Sequence, residues 1–311
     1  GGLRWSRTFG GVYDDSARGI AADHSGNIYV TGVFQDVVDL GGGPLTAAGH
    51  NDAYLASYAV VDGAHRWSVP RGGRDNDYPE GLVVEGDALY FAVSFGETSD
   101  YGAGAIRSAG DLDALIAVYA TVDGAHRWSL FFGGVEKDQG RSVAVDGAGH
   151  VYFSGYFAGV ADFGGNALTA FGSRDAFLAG YATADGAHRW STHFGGTDEA
   201  WGWEVVVGPR GHLYQSGIFS GTVNFGGEDL TSAGGYDLYL VSTTATGAHR
   251  WSRRFGGPGD DLTRGGLVVD AEGSVYLSGI FEQEADFAGT PLVAAGGGDA
   301  FLLKIGGATL P

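Results

Sequence analysis

The sequence predicts an all-β chain made of five copies of one unit, and three observations lead to this prediction. A Trp-Ser pair recurs at intervals of 61 or 62 residues, and the text around it is nearly the same in each copy. Fifty-eight glycines and seven prolines among 311 residues are typical of many short strands joined by tight turns. Hydrophobic residues make up 44% of the chain, which is enough for a continuous core between the units.

The repeat is marked by columns of identical residues. Its tryptophans are Trp5, Trp67, Trp128, Trp190 and Trp251. Gly-Ala-His-Arg precedes the Trp-Ser pair in four copies, and a Gly-Gly pair follows it in all five. A fixed period of this length indicates repeated supersecondary units that stack on one another. The units span residues 3–64, 65–125, 126–187, 188–248 and 249–307, so we expect one domain over residues 1–311.

Each unit contains four strand-like runs, which in the first copy are residues 18–23, 27–34, 52–59 and 65–69. Asp62-Gly63 joins the last two runs and predicts a two-residue hairpin of type I′, which needs positive φ at both positions. Four consecutive antiparallel strands form one blade of a β-propeller. The predicted fold is therefore a single five-bladed β-propeller.

The two ends of the chain predict how the propeller closes. Residues 3–9 match an outermost strand without inner partners, and residues 266–305 supply three inner strands without a fourth. Joining them would leave no open sheet edge at the seam. We therefore expect the N-terminal strand to complete the last blade, with Trp5 in the same blade as Phe301.

The amino-acid sequence of the repeats resembles that of a known family. Ile20-Ala21-Ala22-Asp23, followed by Gly-Asn-Ile-Tyr-Val-Thr-Gly at 26–32, is similar to bacterial SBBP-type β-propeller repeats and more distantly to NHL-type blades. Residues 162–177, which begin with Asp-Phe-Gly-Gly and end with Asp-Ala-Phe, strengthen this resemblance. The resemblance implies that residues 18–23 form an innermost strand and the tryptophan run an outermost one. It implies a secreted or surface protein and little about activity.

Composition excludes several classes of function. The chain has no cysteine, which excludes disulfides, thiol catalysis and cysteine-ligated zinc. A net charge of −19 repels nucleic-acid phosphates and anionic lipid. No apolar stretch approaches the roughly 20 residues of a membrane span. We expect a monomer, secreted or at the cell surface with its signal segment removed, that neither binds nucleic acid nor inserts into a membrane.

Residues that recur in every copy are expected to maintain the blade. The repeated histidines lie in different units on outer strands, so they cannot share one metal ion. One column of aspartates opens the third strand of each unit, and a second column precedes the first strand. Both can fix turns by accepting backbone N–H bonds. The alternative is a calcium site in each blade, built from Asp15, Asp52, Asp77, Asp113, Asp138, Asp175, Asp261 and Asp299. No cofactor is otherwise required.

Specific function is expected where the copies diverge. In one column at the entrance of the first strand the units read Arg18, Glu80, Arg141, Trp203 and Arg264. The fourth unit adds Trp201, so it contains both tryptophans that lie outside the repeated set. Aromatic faces with a few charged donors suit a sugar, a peptide or a small carboxylate. The predicted ligand site at the channel mouth is Arg18, Tyr78, Glu80, Arg141, Trp201, Trp203, Glu204 and Arg264.

These residues predict a non-enzymatic binding module for an extracellular glycan, protein or small ligand. The alternative hypothesis is that the protein is an enzyme, a glycoside hydrolase with Glu80 and Glu204 as the carboxylate pair. A lectin would have five equivalent sites, whereas a channel-mouth pocket would have one. A rigid scaffold without a small ligand is the third alternative.

Overall fold

The computed structural model describes residues 1–287, 289 and 291–306, and every helix or strand within them is a β-strand. The all-β prediction is thereby confirmed. The chain divides into two compact parts, each larger than one repeat: residues 1–140, called unit 1 from here on, and residues 141–311, called unit 2. The single domain stays a prediction, and residue 307, where the fifth repeat is predicted to end, lies outside the described residues. In the part of the chain that the structure describes, no helix is long and apolar enough to cross a membrane.

In the structure a repeat runs from its first long strand to the tryptophan strand of the same sheet, so the strand that begins each predicted unit from the second onward ends the preceding structural repeat. Each repeat contains long antiparallel strands and a short two-stranded ribbon between the second and third of them. The first repeat has β1 (Ser16–Ala22), β2 (Asn27–Phe34), β3 (Val37–Asp39), β4 (Pro44–Thr46), β5 (Asp52–Ala59) and β6 (His65–Gly73). The second has β7 (Asp77–Glu85), β8 (Ala88–Phe95), β9 (Thr98–Asp100), β10 (Ala105–Arg107), β11 (Asp113–Ala120) and β12 (His126–Phe132). The third has β13 (Gln139–Val145), β14 (His150–Phe157), β15 (Val160–Ala161), β16 (Leu168–Thr169), β17 (Asp175–Ala182) and β18 (His188–Gly196).

The fourth and fifth repeats follow the same order. The fourth has β19 (Ala200–Val207), β20 (Leu213–Phe219), β21 (Thr222–Asn224), β22 (Asp229–Thr231), β23 (Asp237–Thr243) and β24 (His249–Phe255). The fifth has β25 (Leu267–Val269), β26 (Val275–Phe281), β27 (Glu284–Asp286), β28 (Pro291–Val293) and β29 (Asp299–Ile305). The long strands of the first four repeats form four-stranded antiparallel arrangements in chain order, and the fifth sheet is β25-β26-β29.

The strand boundaries agree closely with the sequence. Residues 27–34 and 52–59 form strands with the predicted limits, and the run predicted at 65–69 extends to Gly73. In the first four repeats the third long strand is almost entirely buried on both faces, as in β5, and β8 shows the same for a second strand. A strand covered on both faces reads as a continuous apolar run, and this is why these strands are the least polar of their repeats. In the fifth repeat β26 and β29 keep exposed residues.

The repeated tryptophans join consecutive repeats. Trp67 Nε1 donates to the carbonyl oxygen of Thr121 at 3.0 Å, and Trp190 Nε1 donates to that of Ala245 at 2.9 Å. Each bond connects the outer strand of one repeat to the turn before the outer strand of the next. The prediction that the tryptophans pack between neighbouring repeats is confirmed for these two.

The second glycine of the Gly-Gly pair is required by close packing. A Cβ at Gly73 would overlap the carbonyl oxygen of Thr98, and one at Gly196 would overlap that of Thr222. Both oxygens belong to the ribbon of the following repeat, which pairs with the end of the preceding outer strand. The Gly-Gly column therefore marks a contact between repeats that only glycine permits.

Two sequence predictions fail at the level of local structure. Asp62 does not have positive φ, so the turn before β6 is not type I′. Instead, Asp62 Oδ1 accepts from Ala64 N at 2.9 Å, and Gly63 alone adopts φ +69°. Residues 3–9 form no strand, and the described fifth sheet contains three strands. This segment is held by side chains instead, with Phe9 stacked on Tyr58 at 5.2 Å.

Candidate ligand-binding site

The divergent column lies on the first strand of the first four repeats, and in unit 1 two of these strands, β1 and β7, are in contact. In unit 1, Arg18 on β1 forms an ion pair with Glu80 on β7 at 3.5 Å. Tyr78 is half-buried on the same strand as Glu80. Neighbouring members of the column therefore meet across the junction between two repeats.

The column coincides with a β-bulge in the first strand. The pairing of β1 with β2 passes from Ala17 to Gly19, and Arg18 is the extra residue. Glu80 is the extra residue in the pairing of β7 with β8, and Trp203 is the extra residue in that of β19 with β20. A bulge leaves one residue outside the ladder and re-aims its side chain. This position can therefore vary while the sheet stays the same.

In unit 2 the column builds an aromatic cluster. Arg141 Cζ lies 4.3 Å from the centroid of the Trp203 ring and 5.6 Å from that of Tyr156. Trp201 packs on Tyr156 with centroids 4.6 Å apart, and it stacks beside Trp203 at 6.3 Å. Both indoles are half-buried, whereas Tyr156 is only 2% exposed. The indoles thus present part of their surface to solvent over a buried aromatic floor.

A second arginine covers the other end of this cluster. Arg174 Cζ lies 5.2 Å from the centroid of Trp201 and 5.9 Å from that of Tyr156. Its Nη1 is 2.6 Å from Glu199 Oε1, and the side chains are 32% and 19% exposed, respectively. Both guanidinium groups lie within the ~6 Å at which a cation is attracted to an aromatic face.

Glu199 organises this end of the cluster. Trp201 Nε1 donates to its Oε2 at 3.2 Å, Ser173 Oγ donates to its Oε1 at 3.0 Å, and the Tyr236 hydroxyl donates to Oε2. Burial acts to raise the pKa of Glu199, but these hydrogen bonds and the charge of Arg174 outweigh it and hold the pKa below its usual value. Glu199 is therefore ionised at neutral pH and fixes the orientation of the Trp201 indole. We call Arg141, Tyr156, Arg174, Trp201 and Trp203 the Arg-Trp cluster.

The remaining predicted ligand residues of unit 2 lie elsewhere or have other contacts. Glu204 Oε2 accepts from Leu267 N at 2.8 Å, so its carboxylate connects β19 to the first strand of the fifth repeat. Burial raises the pKa of Glu204. Arg264 is exposed on the segment before β25. The structure thus brings Arg141, Trp201 and Trp203 into direct contact, and it gives Glu204 a backbone partner.

The aspartate columns bind backbone N–H groups of nearby turns. Asp52 Oδ2 accepts from Ala48 N at 2.7 Å, and the other third-strand aspartates accept from the residue four positions earlier at 2.8–3.1 Å, namely Asp113, Asp175, Asp237 and Asp299. The second column does the same at 2.5–2.9 Å, at Asp15, Asp77, Asp138 and Asp261. Backbone bonds of this kind are the ones expected of aspartates that fix turns. Within residues 1–287, 289 and 291–306, no three Asp, Glu or His side chains are grouped to hold a metal ion.

Arg174 and Tyr156 of the cluster, and Tyr236 next to it, were not among the predicted ligand residues. Arg174 and Tyr236 occupy the column just before the third-strand aspartate, which reads Asn51, Leu112, Arg174, Tyr236 and Gly298. Tyr156 belongs to a column that reads Val33, Ser94, Tyr156, Ile218 and Ile280. Both columns diverge as strongly as the one that contains Trp203. The same search for divergence would have found them.

Comparison with known proteins supports the repeat family. Residues 4–33 match the family described as SBBP, beta-propeller repeat. The chain therefore carries a β-propeller repeat of this family, and the resemblance predicted from the sequence is confirmed. No curated protein matches the chain.

Among solved structures, a europium-containing methanol dehydrogenase is 11% identical with a TM-score of 0.39, over 91% of this chain and 56% of that chain. BamB from Moraxella catarrhalis is 16% identical with a TM-score of 0.36, over 84% and 73% of the two chains. The hydrazine synthase of Kuenenia stuttgartiensis is 12% identical with a TM-score of 0.36, over 83% and 72%. The chain thus spans little more than half of the methanol dehydrogenase. At this degree of likeness, none of these proteins indicates a function for it.

Proposed function

We propose that the protein is a five-bladed β-propeller that acts outside the cell as a non-enzymatic binding module. Four repeats with the same six strands, and a fifth with the first five of them in the same order, support the blade number. Trp5 supports closure by the N-terminal segment, because its Nε1 donates to the carbonyl oxygen of Val60 at 2.9 Å. This bond repeats the one from Trp67 to Thr121. Residues 3–9 thus contact the first repeat as the outer strand of a preceding blade would.

The ligand site is the Arg-Trp cluster of unit 2. The observation that carries this proposal is the pair of half-buried indoles, Trp201 and Trp203, each covered by a guanidinium group. Sugar rings bind aromatic faces through their C–H groups, and arginines bind hydroxyl and carboxylate oxygens. We therefore favour a glycan as the ligand, with a protein partner as the alternative. Apart from Arg141, whose column also holds Arg18 and Arg264, the residues of the cluster do not recur in the other repeats, so one site per chain is expected rather than the five of a lectin.

A hydrolase is disfavoured by the contacts of its two candidate carboxylates. Glu80 is paired with Arg18, and Glu204 holds the backbone N–H of Leu267. A catalytic acid or nucleophile has to face the scissile bond instead. Screening against polysaccharides and aryl glycosides, with Glu80→Gln and Glu204→Gln as controls, tests this; turnover that either variant abolishes would establish the enzyme.

The charge of the chain and the contacts of its aspartates bear on its partners and cofactors. A net charge of −19 suits a soluble monomer and opposes binding to nucleic acid or anionic membranes. Calcium is not required, because the aspartates that could bind it accept backbone N–H bonds. The thermal midpoint should be the same in calcium and in EGTA, and a rise in calcium would contradict this part.

The site itself is tested by a glycan array followed by fluorescence titration with the bound glycans. Trp201→Ala and Trp203→Ala should each abolish binding while the thermal midpoint stays close to that of the parent protein. Tyr13→Ala removes an aromatic residue that is 60% exposed and lies outside the cluster, so it serves as the matched control. Binding that survives both tryptophan variants would place the ligand elsewhere. If no glycan binds, a pull-down from the native surface fraction, repeated with both variants, tests the protein partner.

A further inference from the structure

The hairpin between the first two long strands carries an internal anion in three of the five repeats. Asp146 is the example in the third repeat, where its Oδ1 accepts from Ala148 N at 2.8 Å and from His150 N at 3.1 Å. Its Oδ2 lies 2.7 Å from His150 Nδ1 and accepts from the Tyr152 hydroxyl at 3.0 Å. Backbone, imidazole and phenol groups thus converge on one carboxylate.

The same arrangement recurs in the first and fifth repeats. Asp23 accepts from the Tyr29 hydroxyl at 2.9 Å and from Asn27 N at 2.8 Å. Asp270 accepts from the Tyr276 hydroxyl at 3.0 Å and from Ser274 N at 2.7 Å. In all three repeats the aspartate precedes the tyrosine by six residues. A carboxylate therefore occupies this place in three repeats, whereas the second repeat has Val84 there.

The fourth repeat keeps the hairpin but has Gly208 in place of the aspartate. Gly208 N donates to His212 O at 2.8 Å, as Asp146 N does to His150 O at 3.2 Å, so the backbone turns in the same way. His212 and Tyr214 stand where His150 and Tyr152 stand in the third repeat. The fourth repeat therefore keeps the residues that surround the carboxylate of Asp146, but its position 208 has no side chain to supply one.

A cavity of ≈ 120 Å³ lies at this hairpin, lined by Pro209, Arg210, His212, Tyr214, Arg250 and residues 271–273. A cavity of ~10–15 Å³ already holds one water molecule, so this one has room for a carboxylate group. Arg210 and Arg250 face it together with a single carboxylate, that of Glu272. Arg250 Nη1 also donates to Ser242 Oγ at 2.9 Å, which holds its guanidinium in place. The wall is net positive in a chain whose net charge is −19.

We propose that the hairpin of the fourth repeat binds the carboxylate group of an acidic ligand, with Arg210, His212, Tyr214 and Arg250 as its binding residues. The ligand's carboxylate would take the place that Asp146 occupies in the third repeat. Two arginines give charge-assisted bonds that a carboxylate accepts with both oxygens. This site lies outside the Arg-Trp cluster and does not depend on the function proposed for it.

The pKa of the His212 ring provides a readout of carboxylate binding. Burial lowers the pKa of His212, and the charges of Arg250 and Arg210 lower it further. A bound carboxylate counteracts both arginines, so it should raise this pKa. NMR titration of the His212 ring with acetate and with glucuronate, at constant ionic strength in chloride, measures binding and the pKa together. Acetate alone tests the carboxylate, and tighter binding of glucuronate would show that the sugar contributes.

We expect saturable shifts of the His212 resonances and a higher His212 pKa in the bound state. Arg210→Gln and Arg250→Gln should each weaken acetate binding by roughly tenfold or more, as expected for a charge-assisted hydrogen bond. Arg189→Ala is the matched control, because Arg189 is the counterpart of Arg250 in the repeat that has Asp146. It should leave acetate binding unchanged.

Gly208→Asp supplies the carboxylate internally and should abolish the acetate response while raising the His212 pKa in the absence of acetate. A Cβ at this position would lie 2.7 Å from Tyr214 Cε2, so the tyrosine ring has to shift for the variant to fold. If it does not fold, the two arginine variants decide. Shifts that do not saturate, or that persist equally in Arg210→Gln and Arg250→Gln, would overturn the proposal.

Discussion

The guanidinium carbon of Arg141 lies 4.3 Å from the centroid of the Trp203 ring, so a residue of the third repeat covers a bulged residue of the fourth. The contact spans 62 residues of sequence, one full repeat. It places two members of the same divergent column face to face.

Trp203→Ala should have a small effect on folding compared with its effect on binding. Trp203 is half-buried and lies outside the β19–β20 ladder, so we expect a loss of about 1–2 kcal/mol in the free energy of unfolding. Urea denaturation followed by circular dichroism measures it. A loss as large as that of a buried repeated tryptophan would show that Trp203 is part of the core.

Trp67→Ala should destabilise the chain by about 3–5 kcal/mol, because Trp67 is 8% exposed and fills the space between the first two repeats. Trp67→Phe keeps most of the packing and loses the bond to Thr121, so it should cost clearly less. The same denaturation experiment compares the two. Equal losses would mean that the hydrogen bond, and not the packing, determines the effect.

Gly73→Ala should destabilise the chain by about 2 kcal/mol or more, because the added Cβ overlaps the carbonyl oxygen of Thr98. Gly297→Ala is the matched control, since a Cβ there meets nothing within 4 Å. The control should be neutral or slightly stabilising in thermal denaturation. If Gly73→Ala is also neutral, the ribbon of the second repeat does not hold this contact in solution.

Asp77 should make stability fall as pH rises from about 4 to 7. Burial raises its pKa from 3.8 to about 7, and the nearby charge of Asp52 adds to this, while bonds from Tyr101, Ser99 and Gly73 oppose it. The folded state therefore holds this proton more tightly than the unfolded state does. Its stabilising effect is complete below pH 3.8 and is lost as pH approaches 7, which amounts to about 4 kcal/mol at most.

Asp77→Asn should remove this dependence, and its stability relative to the parent should increase as pH rises through the same range. Chemical denaturation at several pH values measures this difference. Asp87→Asn is the control, because the hydrogen bond and charge of Arg127 lower the pKa of Asp87 below 3.8. Any effect of that substitution should change only below pH 3.8. A constant difference between Asp77→Asn and the parent would show that Asp77 is not protonated in the folded protein.

The long strands could be predicted because their pattern is repeated in the sequence. The limits of β2 and β5 agree with the sequence because turn residues flank an apolar run on both sides. The ribbons were missed because strands of two or three residues, such as β15, are too short to show alternation. The prediction of a type I′ turn at Asp62-Gly63 was wrong because a bulge between Ser57 and Tyr58 shifts the pairing with β6 and lengthens the loop.

The site could be predicted only as far as divergence reveals it. Arg141, Trp201 and Trp203 stood out because the copies differ at these positions. The bonds of Glu199 to Ser173 and Tyr236 join residues 26 and 37 positions apart, and no local pattern signals them. Sequence divergence therefore identifies candidate residues, whereas the structure determines which of them form one surface.

The bulge in the first strand also affects how such repeats can change. An arginine, a glutamate and a tryptophan occupy the same bulged position in three repeats of this chain, at Arg18, Glu80 and Trp203, and the strand partners on either side stay paired. The position is therefore a natural site for diversification, where charge and size can be exchanged one repeat at a time. A library that varies these positions should retain folded members at a higher rate than one that varies the neighbouring paired positions.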